Sequence, residues 1–259
     1  MRSALTLVEQ LKELGLRQSD WLAVFGDVGG TPEHPATDEE LDCLIGALLG
    51  AVGPEGHVLT PTFSSGEQFD VDASPATTGR LAERFRRWPG VTRSRHPIYS
   101  IALWGPQSLA IVRDHDLYLP FRAETPFGQL VERDGKILHF GGNQADNPVI
   151  HVARLAAEQP RPALWVCVHV ATEFGGTRKK RFVEAPCSRA YAALGGEFLH
   201  RGIARSVQTD WGEALWMPAR AVYDYVTILE RHEPERLLCA EKSCRWCKAM
   251  RRLLEEAAR

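Results

Sequence analysis

The sequence predicts one mixed-sheet α/β domain, and three observations carry that reading. Short apolar runs of strand length are dispersed among stretches of helical periodicity. The first unit reads strand, loop, capped helix, strand, an order that lays two strands parallel. The 259 residues, 44% hydrophobic and 25% charged, have an ordinary globular composition with no internal repeat or low-complexity linker. The expected extent is a single domain over residues 1–259, with 236–259 a cysteine-bearing helical tail.

Leucines at helical spacing make residues 4–15 an amphipathic helix. "WLAVFG" (21–26) is an apolar run ending at glycine and reads as a buried strand. After the loop "DVGGTPEHPA", Thr37 and Glu40 form a capping box. The helix that follows carries Leu41, Leu44, Ile45, Leu48 and Leu49 on its apolar side and stops at Gly53 and Pro54. "HVLTPTF" (57–63) is the second strand, and 64–79 is a long polar loop. "RLAERFRRWPG" is a short helix closed by Pro89 and Gly90. "YSIALWG" (99–105), "KILHFGG" (136–142) and "ALWVCVHVAT" (163–172) are further strands. "PQSLAIVRDHD" and "TPFGQLVERD" between them are helical. "GTRKKRF" (176–182) reads as a solvated loop. "SRAYAALGGEFLHRG" is a helix and turn, "PARAVYDYVTILERHEPERLL" a long helix, and a helix bearing cysteines ends the chain.

Composition excludes several classes of function. No run of 18 apolar residues is present, so no membrane partner is expected. The first twenty residues lack the unbroken apolar core of a signal peptide, which makes the cytoplasm the default location. Net charge is −2 and the isoelectric point is near 6.5, so no global basic field points to nucleic acid. Cys43, Cys167 and Cys187 are scattered and read as reduced thiols. Cys239, Cys244 and Cys247 are spaced C-x4-C-x2-C, which suits a structural zinc with His232 as the nearest fourth ligand, or a reduced cysteine-rich tail.

The candidate chemistry lies in "NPVIHVARLAAE" (147–158). Asn147 caps a helix and Pro148 takes its first position. His151 follows in the first turns, with Arg154 on the same face and Glu158 four residues beyond. A histidine there, after the run "FGGNQADN", is placed to act as a base.

Several ordered pieces together resemble the aminoglycoside 3-N-acetyltransferase family. They are "LKELGLRQSDWLAV", "LLGAVGPEGHVLTPTFS", "FRRWPGVTRSRHPIYSIALWGP", "TPFGQLVERDGKILHFGG" and "NPVIHVARLAAE", with a looser match through "ALGGEFLHRGIA". They span about residues 5–235, and "R-S-x-H-P-x-x-S" (93–100) is the most specific. The resemblance implies the antibiotic N-acetyltransferase fold, a mixed sheet wrapped by helices and distinct from the GNAT fold. It implies acetyl-CoA or another acyl-CoA as donor and a small-molecule amine as acceptor. His151 falls on the family's catalytic histidine. The family follows that histidine with a glutamate, H-x-x-E, and here Arg154 stands in its place. Arg154 reads either as a surface residue paired with Glu158 or as a clamp for an anion on acceptor or donor. The loop after the first strand departs too, with Phe25 and Asp27 where the family has histidine and serine. Asp27 is the candidate to bring a carboxylate back to His151.

Carried over in the same way, Ser100 and Ser94 line the donor cleft, either as donors to the thioester oxyanion or as satisfied hydroxyls. Arg93 belongs to the same segment. His96 either contacts the donor or fixes the turn before Pro97. Thr62, Phe63, Phe127 and Gly128 surround the pantetheine groove, although both phenylalanines also suit a core. Asn147 and Glu158 are candidate substrate contacts. The cation beside the base points away from polycationic drugs, toward a biosynthetic or modifying enzyme with a neutral or carboxylate-bearing acceptor. The alternatives are transfer from an acyl carrier protein or hydrolysis on the same fold, or a binding protein that has lost the dyad.

Overall fold

The computed structural model describes residues 4–257 except 27, 29, 32–33, 114, 116, 142 and 173–174. In chain order the elements are α1 (Ala4–Glu13), β1 (Trp21–Gly26), the short pair β2 (Gly30–Thr31) and β3 (His34–Pro35), α2 (Asp38–Val52) and β4 (His57–Pro61). Next come β5 (Gln68–Phe69), α3 (Arg80–Phe85), β6 (Thr92–Arg93), β7 (Ile101–Trp104), α4 (Ser108–Arg113), α5 (Pro126–Glu132), β8 (Lys136–Phe140) and α6 (Pro148–Ala156). The remainder is β9 (Trp165–Ala171), β10 (Thr177–Val183), α7 (Leu194–His200), β11 (Arg205–Thr209), β12 (Gly212–Pro218), α8 (Ala219–His232) and α9 (Arg245–Ala257).

Seven strands form the main sheet in the order β11-β12-β8-β1-β4-β7-β6. β1 pairs in parallel with β4 and with β8, and the outer pairs are antiparallel. The expected parallel unit is therefore present, joined by α2 behind its capping box: Glu40 N–H donates to Thr37 Oγ1 at 3.2 Å and Thr37 N–H to Glu40 Oε2 at 2.9 Å.

Both faces of β1 are buried, which is why its sequence is a continuous apolar run rather than an alternation. Trp21, Ala23 and Phe25 point into a core shared with α5, α6 and α8. Leu22 and Val24 point the other way, into a core with α1, α2 and α3. The result is a sheet between two helical layers. β1 ends at Gly26, with φ 93°, opposite Phe140 at the end of β8. A Cβ there would lie 2.0 Å from the Phe140 carbonyl oxygen, so the close approach requires glycine. α6 starts just beyond this carboxyl edge of the parallel strands, where sheets of this kind hold their ligands.

Two expectations change. "RKKRF" is not a loop: it lies in β10, which pairs antiparallel with β9 along seven residues. Its cations are exposed and only Phe182 is buried, so the strand rests on pairing rather than on an apolar face. With β5 these strands form a separate sheet around Phe69, Val168 and Phe182. The hairpin β11–β12 was not expected, and it extends the main sheet beyond β8.

Candidate active site

The site is built on the first turns of α6. Asn147 is fully buried and caps the helix: Val149 N–H donates to its Oδ1 at 3.0 Å, and its Nδ2 donates to Gln144 Oε1 at 2.8 Å. Both ends of the amide are engaged in starting the helix, and the side chain has no exposed surface. Asn147 is therefore a positioning residue here, where a substrate contact was expected.

One turn on, the His151 ring is stacked against Phe121, with centroids 4.7 Å apart, and meets the edge of Tyr191 at 5.3 Å. Its Nδ1 is buried without a hydrogen-bond partner among the described residues. Burial first, then the cations of Arg154 and Arg161, push its pKa down to about 3. Aromatic packing thus holds the ring that a carboxylate was expected to orient. Asp27, the candidate for that carboxylate, lies outside the described residues.

Arg154 overturns both readings of it. It is neither on the surface nor in the cleft: its side chain is 0% exposed. Nε donates to Glu230 Oε2 at 2.7 Å and Nη2 to Glu230 Oε1 at 3.1 Å, a bidentate pair linking α6 to α8. Nη1 donates to Tyr191 Oη at 2.9 Å and to the Leu237 carbonyl at 3.3 Å. The rings of Trp246 and Tyr191 lie 5.0 and 5.7 Å from the guanidinium carbon. Burial works against the charge, but Tyr191 and Glu230 hold the guanidinium protonated. Glu158, the expected partner, is exposed beyond the end of α6 in a left-handed conformation, φ 58°. The preference for a neutral or carboxylate-bearing acceptor rested on an arginine facing the cleft and falls with it.

The segments expected around the donor are mostly interior. Ser100 is fully buried, and its hydroxyl donates to the Thr62 carbonyl at 2.5 Å while accepting from Thr62 Oγ1 and Arg93 Nε. No capacity is left for an oxyanion. Arg93 spends its donors on Ser100, the carbonyls of Val71, Ser74 and Thr62, and Ser64 Oγ, so it ties the 64–79 loop to the sheet. Ser94 Oγ accepts from Ile101 N–H at 3.0 Å and bonds His115 Nδ1 at 2.9 Å. His96 Nδ1 accepts from the N–H groups of Ile98 and Tyr99, which fixes the turn at Pro97. Phe127 is core. Gly128 is packed so closely that a Cβ would sit 2.3 Å from the carbonyl oxygens of Arg122 and Ala123. Thr62 is fully buried. Of this set, only Phe63 reaches a cavity lined by His151.

Two cavities meet at that histidine. A narrow one of about 210 Å³ is walled by Phe121, Leu155, Pro162 and Val183, with Arg161 beside His151. The Nε and Nη2 of Arg161 are buried without a hydrogen-bond partner among the described residues. A wider one of about 480 Å³ carries Asp146, Glu184, Arg189 and Arg245. Glu184 is paired with Arg245, whereas burial raises the pKa of Asp146 and no cation among the described residues offsets it. Arg161 and Asp146 line these cavities, Tyr191 packs on His151 and Glu230 is the buried partner of Arg154; the sequence reading missed all four. Glu230 had a signal: it continues the buried i, i+4 stripe of Val222 and Val226 on α8, where an acid demands a partner.

Cys187 and Cys244 line the wider cavity. Cys187, Cys239, Cys244 and Cys247 bring their sulfurs within 4.8 Å of one another. The fourth thiol is Cys187, not His232, which is exposed at the end of α8.

Residues 22–230 match the aminoglycoside 3-N-acetyltransferase family, and the chain belongs to it. It is 28% identical over 177 residues to aminoglycoside N(3)-acetyltransferase IX of Micromonospora chalcea, covering 57% of this chain and 60% of that protein. It is 28% identical over 183 residues to aminoglycoside N(3)-acetyltransferase VII of Streptomyces paromomycinus, covering 60% of each. The matched stretch thus spans about three fifths of the length of these curated relatives. Among solved structures, the aminoglycoside acetyltransferase AAC(3)-IVa apoenzyme superposes with a TM-score of 0.81 at 26% identity, over 97% of both chains. AAC-IIIb in binary complex with CoASH gives 0.75 at 26% identity, over 88% of this chain and 96% of that one. The expected antibiotic N-acetyltransferase fold, with its mixed sheet wrapped by helices, is the fold observed.

Proposed function

We propose that this protein transfers the acetyl group of acetyl-CoA to an amine of an aminoglycoside-like small molecule. The observation that carries the reading is the place of His151, at the junction of an apolar cavity and a wider polar one. The narrow cavity suits the acyl-bearing arm of the thioester, and CoASH is the ligand in the solved AAC-IIIb relative. The wider cavity suits a polar amine, and Asp146 offers a carboxylate to an ammonium group there. The amine nitrogen attacks the thioester carbonyl, the C–N bond forms, and the C–S bond breaks. His151, neutral at working pH, takes the amine proton and returns it to the departing thiolate. Arg161, whose Nε and Nη2 find no hydrogen-bond partner among the described residues, takes the oxyanion role expected of Ser100.

The test follows release of the CoA thiol from acetyl-CoA with aminoglycosides, neutral amines and amino acids as acceptors. Aminoglycosides are expected to turn over, and His151→Ala to lower kcat by roughly 10²–10⁴-fold. Thiol release with none of these amines, together with no rise in melting temperature on adding CoA, would overturn the reading. Arg161→Met is expected to lower kcat roughly a hundredfold at unchanged melting temperature. A lowered melting temperature with normal kcat would make Arg161 structural instead.

A further inference from the structure

The four sulfurs of Cys187, Cys239, Cys244 and Cys247 come from three separate pieces of chain. Cys187 lies in the segment between β10 and the helical turn at 189–193. Cys239 follows the turn at 234–237, and Cys244 and Cys247 flank the first residues of α9. All four thiols are free, and each offers one ligand atom to a common point. Four thiolates around zinc at about 2.3 Å place the sulfurs about 3.8 Å apart. The observed separations, none above 4.8 Å, need only a small inward movement to close that shell. A four-iron cluster would need them wider apart, because each sulfur then binds a different iron. The surroundings suit a structural site rather than a catalytic one. Cys239 and Cys247 are buried, Cys187 and Cys244 half-buried, and Leu238, Trp246, Met250 and Leu164 pack around them. Four protein ligands leave no open position.

We propose that these four cysteines bind one zinc ion as a closed tetrathiolate site that fastens the C-terminal tail to the wall of the His151 cleft. Each cysteine gives up its thiol proton to solvent as the metal binds, so no oxidant or reductant is involved. The consequence for the cleft is direct. Pro186, Cys187, Cys244 and Trp246 line the wider cavity, and Trp246 also covers the Arg154 guanidinium. The metal joins the strand-side wall of that cavity, at 185–188, to its helix-side wall at the start of α9. Metal binding is read without any substrate, so this inference stands or falls apart from acetyl transfer.

The test is metal content of the full chain produced in zinc-supplemented medium. One zinc per chain that survives dialysis is expected, and a thiol-specific mercurial should release it to a colorimetric chelator. Cobalt(II) exchanged into the site should show intense sulfur-to-cobalt charge transfer and the d–d bands of a tetrahedral thiolate. Cys187→Ser and Cys239→Ser should each lose the metal, whereas Cys43→Ser and Cys167→Ser should retain one equivalent. Should the Cys187 variant fail to fold, the cobalt spectrum of the unaltered chain still reports the number of thiolates. Metal-free protein whose thiols all react with Ellman's reagent in the native state would overturn the proposal. So would retention of zinc by Cys187→Ser, a disulfide among the four, or iron–sulfur absorption.

Discussion

Arg154→Met is expected to destabilise the fold by about 3–5 kcal/mol, because it strips the partner from a carboxylate with no access to water. Glu230 is 0% exposed and both its oxygens are held by Arg154. Without the guanidinium, Glu230 must either keep an unpaired charge in the core between α6 and α8 or take up a proton. The double variant Arg154→Met/Glu230→Met should recover most of the loss, since two apolar side chains remove the desolvation problem together. Urea unfolding of the four members of this cycle measures it. A single-variant cost below about 1 kcal/mol would mean that the pair is wet or loosely held.

The same pair explains how this chain departs from the family's H-x-x-E pattern. Arg154→Glu alone would place a second carboxylate against Glu230, so that substitution tests stability before chemistry. The informative variant is the exchange Arg154→Glu/Glu230→Arg, which keeps one buried ion pair while returning an acid to the turn after His151. If acetyl transfer then quickens while stability holds, the family dyad and this buried pair are alternative ways to use one position.

The parts of the molecule legible in the sequence are those set by local physics. The Thr37 and Glu40 capping box, the apolar runs of β1, β4 and β8, and the Asn147–Pro148 helix start each depend on neighbours a few residues away. What escaped depends on distant ones. Arg154 was read against Glu158, four residues along, but its partner is Glu230, seventy-six residues away. Cys187 comes close to Cys239 across a gap that is also far longer than any spacing rule reaches. β10 was hidden for another reason: a strand stabilised by edge pairing with β9 carries charges where an apolar alternation would have marked it. Ser100, Arg93, Ser94 and His96 form a recognisable run, yet the resemblance alone could not say that Arg93 is spent on Ser100, Ser94 on His115 and His96 Nδ1 on the backbone. A motif of buried side chains that hold the interior together looks the same in sequence as a motif that touches ligand.

Acidification from pH 7 to pH 5 should cost this fold on the order of 6 kcal/mol, about 2 from each of three buried histidines. Burial pushes His151 and His96 down to about 3 and His139 down to about 4; the neighbouring His115 adds to the effect at His96, as Arg154 and Arg161 do at His151. Unfolded, all three titrate near 6.5. Above that value both states are neutral and the histidines contribute nothing to the pH dependence. Between about 6.5 and 4 only the unfolded chain takes up the protons, so stability falls by about 1.4 kcal/mol per pH unit for each group. His96 shows the cause in atomic terms, because its Nδ1 already accepts two backbone N–H groups and a proton there would break both. The carboxylates with lowered pKa, among them Glu83 and Glu197, lose their contribution only at lower pH, as they pass their own depressed values. Urea midpoints between pH 5 and 7 should therefore follow a slope of nearly three protons at the acid end, and His96→Gln should remove one of them. A slope below one proton would mean that these rings take up protons in the native state. For His151 the same property carries over to the catalytic role proposed for it. A base that stays neutral to about pH 3 produces no loss of kcat/KM around pH 6–7, and the acid limb of the rate profile should follow the acceptor amine instead. An acid limb that kept a single position near pH 6.5 with amines of widely different basicity would return that limb to the histidine and contradict its burial.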